Sequence, residues 1–178
     1  MQSTHRPYSL LHPFRGGWGR SWQTQALFGY MLIVVGHFAE HLIQVAQVFL
    51  LGWTRAEAGG LLGLVFSSVA ENELLHITYN SLQLTGLILF AYSFRTHRAA
   101  HGFWIAALVA QSWHWLEHVF LLTQLLTGHY FYGAVKQMSV LERFIPRLEL
   151  HLIYNLAVFV PTVVAIVLFL RAGKEKEK

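Results

Sequence analysis

Twice along this chain, two histidines and a glutamate recur at one spacing inside an apolar run. His37-x-x-Glu40-His41 lies in "GHFAEHLIQ" and His114-x-x-Glu117-His118 in "WHWLEH". On an α-helix, residues four apart share a face, so each histidine pair can chelate one ion with the glutamate beside it. A second pair of motifs, "LHITYN" and "LHLIYN", adds His76 with Tyr79 and Asn80, and His151 with Tyr154 and Asn155. Imidazole and carboxylate donors suit iron, copper, zinc or manganese. The sequence has no cysteine, which excludes thiolate ligands, Cys nucleophiles and disulfides.

These residues read as a dinuclear centre. Each ion takes a histidine from a His-x-x-Glu-His segment and one from a His-x-x-Tyr-Asn segment. The ligand set is then His37, His41, His76, His114, His118 and His151, with Glu40 and Glu117 as ligands or bridges. Tyr79 and Tyr154 join the two glutamates as candidate catalytic groups, either as proton or radical donors or as hydrogen-bond partners of a carboxylate. Asn80 and Asn155 are expected to orient ligand histidines from behind. Gln47 and Gln124, above the histidine pairs, are expected to line an outward opening. The alternative without metal is a set of His–Glu and His–Asn hydrogen bonds that specifies helix pairing.

Three known chemistries bear on this pattern. His-x-x-Glu-His resembles the inverzincin signature, in which two histidines bind zinc and the glutamate is the general base; the resemblance covers five residues. Ferritin-like di-iron bundles use Glu and Glu-x-x-His from facing helices. Here Glu73 and His76 have that spacing, but the counterpart position, 148, is leucine. Haem b, held for instance between His37 and His114, is a third possibility that leaves the glutamates and four histidines without a role.

The elements that must position these groups are apolar. Of the 178 residues, 54% are hydrophobic and only 12% charged, about half the charge of an ordinary soluble domain. Four segments approach the roughly 20 residues needed to cross a bilayer: Ala26–Leu51, Leu74–Ser93, Gly102–Thr127 and Leu148–Leu170. The second half repeats the first at an offset of 75 to 77 residues. The expected fold is all-α: one integral membrane four-helix bundle built from two tandem hairpins, about 26–95 and 102–171, related by a two-fold-like axis along the membrane normal. Residues 61–70 either extend the second helix or form a re-entrant piece.

Orientation follows the basic residues. Nine lie at 6–20, 95–98 and 171–178, against four at 55 and 136–147, which places both termini in the cytoplasm. Residues 1–25 then form a cytoplasmic or interfacial lead-in anchored by Trp18 and Trp22, and 172–178 a charged tail. Counted from the basic edges at 1.5 Å per residue, His41, His76, His118 and His151 reach one level, in the half nearer the outside. Gly36 is expected to admit a close helix approach, and Pro161 to kink the last helix and open a pocket.

The function expected from this arrangement is a membrane-embedded oxidoreductase. Two transition-metal ions (iron, copper or zinc) would activate oxygen on a lipid-soluble substrate. A metal- or haem-binding accessory or electron-transfer subunit of a larger membrane complex is the alternative, and an intramembrane zinc hydrolase the next. Expected partners are membrane lipids and other membrane subunits or further copies of the chain. Nothing in the charge pattern points to nucleic acid.

Overall fold

The computed structural model describes residues 17–66 and 72–175. Among these the chain is helical: α1 (Gly17–Phe49), α2 (Gly60–Val65), α3 (Glu73–Ser93), α4 (Arg98–Thr127), a short 3-10 turn (Phe131–Gly133) and α5 (Arg147–Glu175). α1 begins nine residues before the expected span and α4 four before. Most of the lead-in lies outside the described residues, as do 67–71 and the last three residues of the tail.

Three helices are long and apolar enough to cross a membrane, at Thr24–Phe49, Glu73–Ser93 and Arg147–Ala172. α4 is as long but is not among them, although the sequence reading counts it as a span. Gln111, Ser112, His114, Glu117, His118, Thr123 and Gln124 dilute its apolar character. Those polar residues are largely inside. Ala100, Trp104, Ala107, Gln111, His114, His118 and Leu121 form a buried stripe at alternating spacings of four and three, the helical period of one continuous face. The outward faces are apolar instead, as with Leu32, Leu89 and Val109, each about 60% exposed. An apolar surface around a polar interior is what a lipid solvent selects.

α4 packs against both α3 and α5, while α1 packs chiefly against α5 and only lightly against α3. At one end the core is apolar: Leu27, Tyr30 and Val34 of α1 meet Leu87 and Ala91, Trp104 and Ala107, and Val158 and Ala165. The small residues let backbones approach. Phe38 of α1 stacks on Phe159 of α5 with centroids 4.6 Å apart.

One part of the light α1–α3 contact lies at Gly86. A Cβ there would collide with the Tyr30 ring, and the Tyr30 hydroxyl donates to the Gln83 carbonyl at 3.4 Å. Gly36, the expected close-approach point, faces open space. α5 runs through Pro161 as one helix, and Pro161 does not line the cavity described below.

α2 is neither an extension of α3 nor a span; it is six residues packed against α1. Gly60 begins it at φ +70°, where a side chain would also collide with the Glu40 carboxylate. Before it, the Thr54 N–H and hydroxyl donate to Glu57 at 2.9 and 2.8 Å, which holds that carboxyl below the usual range. Arg55 of this loop pairs with Glu149 on α5.

Candidate metal centre

All six histidines of the repeated motifs meet. His114 and His118 of α4 have their Nε2 atoms 3.2 Å apart. His118 Nε2 lies 3.3 Å from His151 Nε2 of α5. Donor atoms of these three buried residues all fall within 4.8 Å of one another. The first hairpin supplies a matching pair: the Nε2 atoms of His37 and His41 are also 3.2 Å apart. His76 of α3 stacks on His118, with centroids 5.4 Å apart at 12°, and His41 comes within 5.6 Å of His151. The expected convergence at one level is what the helices produce.

The protonation of the cluster follows from its partners. His118 Nδ1 is 3.1 Å from a carboxylate oxygen of Glu73. Glu73 is itself ion-paired with Arg147, so its carboxylate accepts and His118 Nδ1 carries the hydrogen. His151 Nδ1 lies 2.9 Å from the Arg147 carbonyl, which can only accept. When both rings are neutral, each turns its Nε2 lone pair toward the other at 3.3 Å, and the same His118 nitrogen also meets His114 Nε2 at 3.2 Å. Nothing in that gap can serve as a hydrogen bond between neutral rings. Two imidazole nitrogens on one tetrahedral ion, each at about 2.0–2.1 Å, would stand about 3.3–3.4 Å apart. The spacing fits a shared cation.

Glu73 and Arg147 were not among the candidate ligands. The signal for Glu73 was the Glu-x-x-His spacing to His76. Its service to the histidine of the other hairpin is a tertiary relation that spacing does not carry. Glu73 is 1% exposed and draws together three helices: its own α3, α4 through His118 and α5 through Arg147.

The two motif glutamates stand outside the triad, Glu40 on the wall of the cavity described below. Glu40 accepts from the Leu62 N–H of α2 at 2.7 Å. Glu117 lies against Tyr154, Ser139 and the backbone at Leu141, and its Oε1 has no hydrogen-bond partner. Neither belongs to the imidazole triad. Helical geometry explains this: at about 100° per residue, the glutamate points roughly 80° away from the bisector of its two histidines. Gln47 and Gln124, seven residues on, share the glutamate's face. Gln47 exchanges two hydrogen bonds with Gly60, at 2.8 and 3.2 Å. Gln124 donates to the Met138 carbonyl at 2.9 Å and accepts from the Phe131 N–H at 2.9 Å. These glutamines hold loops rather than line an opening.

Tyr79 stacks on His37 with centroids 4.1 Å apart, and Tyr154 on His114 at 4.9 Å. The Tyr79 hydroxyl donates to the Ile33 carbonyl, while the Trp113 indole N–H donates to the Tyr154 hydroxyl at 3.0 Å. Asn80 and Asn155 do not touch an imidazole. Each donates to the carbonyl four residues earlier, of His76 and His151, at 2.9 Å. Asn80 also accepts from Gln111 at 2.8 Å, which ties α3 to α4.

A cavity of about 120 Å³ opens between α1 and α3 beside the cluster, lined by His37, Glu40, His41, Gln44, His76 and Tyr79 and by Gly59, Leu62 and Leu75. The rings of His114, His118 and His151 leave no room for a porphyrin between any two of them. A porphyrin needs its whole plane between two axial imidazoles, whereas these rings lie in mutual contact. Compared with known proteins, the chain matches no family model, no curated protein and no solved structure.

Proposed function

We propose that this protein is a four-pass integral membrane metalloprotein with both termini in the cytoplasm, built from two tandem hairpins. It holds a transition-metal ion on His114, His118 and His151 and acts as an oxidoreductase on a lipid-soluble substrate. The observation that carries the metal assignment is the convergence of His114, His118 and His151, whose donor atoms lie within 4.8 Å of one another with the Nε2 atoms of His118 and His151 3.3 Å apart. Without a cation, two buried acceptors repel each other in a low dielectric, where unpaired polar groups cost most. An all-nitrogen donor set without carboxylate favours copper, zinc or iron over magnesium or manganese.

Two features favour redox chemistry over hydrolysis. Tyr79 and Tyr154 lie face to face with His37 and His114, where a phenol can pass a proton or an electron to the cluster. Hydrolysis needs a free general base beside the metal-bound water. Glu40 is taken up by α2, and Glu117 faces the loop after α4.

The test is metal analysis of protein purified in detergent after copper, zinc or iron loading, with a visible spectrum. Bound metal should be lost in His118→Ala and His151→Ala. A variant pair that retains its full metal content would overturn the assignment. Zinc bound with no uptake of copper or iron would remove the redox reading and leave the site.

A further inference from the structure

From the same cluster we infer that a second ion site occupies the cavity between α1 and α3. His37 and His41 hold the ion, His76 faces it, and this ion binds external ligand. The inference rests on the reading of His114, His118 and His151 as a metal site and extends it to the unequal half of the repeat.

The two hairpins carry the same donors. The His37–His41 Nε2 separation equals that of His114–His118, 3.2 Å. His76 Nδ1 donates to the Asn72 carbonyl at 2.9 Å, just as His151 Nδ1 donates to Arg147 at 2.9 Å. The Nε2 of His76 is therefore a bare donor, like that of His151. His41 Nδ1 lies 2.8 Å from the Gln44 side-chain oxygen, which turns its Nε2 lone pair toward His37 Nε2.

What differs is closure. α4 and α5 pack closely and bring His151 against His118, whereas α1 and α3 meet lightly, at Tyr30 on Gly86 and at Tyr79 against His37 and Ile33. The space left between them is the cavity that His37, His41 and His76 line. An ion there has two histidines on one helix, a third across the gap, and room for other ligands. Its backing is weaker too. Glu73, a charged acceptor, stands behind His118, while the neutral Gln44 stands behind His41. By the two-fold relation, the position that would serve His41 as Glu73 serves His118 is Leu148. A carboxylate behind a ligand imidazole is worth about 10–100-fold in metal affinity.

The cavity mouth carries Leu62 and Leu75, 48% and 43% exposed. The ligand class it admits is a small neutral or apolar molecule arriving from the lipid side. The closed triad holds the structural ion, and the open pair holds the exchangeable one.

Titration of the detergent-purified full chain with Co²⁺, followed by visible absorption, tests this. Two classes of Co²⁺ are expected, the second about 10–100-fold weaker, and added pyridine, a small neutral ligand, should shift only the spectrum of the weaker class. His41→Ala and His37→Gln should abolish the weaker class and keep the tighter, while His118→Ala removes the tighter. A single class that His118→Ala abolishes and His41→Ala leaves intact would overturn the second site and spare the triad. Loss of both classes in either His41→Ala or His37→Gln, with helical circular dichroism unchanged, would show one shared site and overturn it equally. No Co²⁺ bound at all would remove the triad reading with it.

Discussion

At the scale of single residues, His118 is the hub. Its Nδ1 rests on Glu73 and its Nε2 meets the Nε2 atoms of both His114 and His151. Glu73→Ala removes the acceptor that fixes this ring, and should weaken the tighter Co²⁺ class about 10–100-fold. Glu73→Gln keeps an oxygen in place without the charge and should cost about tenfold or less. Equal affinities in the two variants would deny the carboxylate any electrostatic part. Arg147 is a separate test of stability. Arg147→Met leaves the buried Glu73 carboxylate with only the His118 N–H, a loss of about 3 kcal/mol, the lower end for a broken buried pair because the Arg147 side chain is 36% exposed. Adding Glu73→Gln to Arg147→Met should recover most of that loss in denaturant unfolding, because no orphaned charge then remains. A double variant as unstable as the single one would contradict the ion-pair account.

At the scale of elements, α1 and α4 each present two stripes that the sequence displays with equal prominence. The histidine stripe, at i and i+4, enters the cluster. The Glu–Gln stripe, at i and i+7, faces the loop that follows the helix. Both were legible as residues, and the metal-ligand reading of the histidines rests on their separation of one turn. Glu40 and Glu117 stay outside the triad because sequence proximity to His41 and His118 does not mean a shared direction on the helix. Glu40→Ala should therefore leave the tighter metal class within about twofold, and speed amide exchange at Leu62, whose N–H it accepts at 2.7 Å. Gln47→Ala should loosen the same segment further, since it strands the Gly60 N–H and carbonyl, at about 1–3 kcal/mol for a buried unsatisfied group. Hydrogen exchange of residues 58–66, read by mass spectrometry, checks both. Protection left unchanged would mean that α2 stands without them.

At the scale of the whole molecule, the paired motifs are legible in the sequence but the inequality of their surroundings is not. Matching motifs imply matching hairpins, yet Glu73 stands where its counterpart is Leu148, and Gly86 where its counterpart is Pro161. At Gly86 a tyrosine from α1 seats itself on α3, Tyr79 of α3 stacks on His37, and the cavity beside them is lined by His37 and His76. α4, expected as one more span, carries a polar stripe that it turns to the interior. These differences give metal binding an order that thermal unfolding and hydrogen exchange can follow. The tighter ion joins α4 to α5, and Glu73 extends that tie to α3. At 100 times its dissociation constant an ion stabilises by about 2.7 kcal/mol, or roughly 5–10 °C in midpoint for a chain of this size. That shift should appear in the first range of added metal and vanish in His151→Ala. α1, lightly held by α3, has its own link to the cluster only through His37 and His41. Its amide exchange near those residues should slow in the second range alone, and not at all in His41→Ala. Protection of α1 that rises together with α4 and α5 in the first range would mean that the hairpins bind metal as one unit, and the unequal halves would then have no energetic consequence.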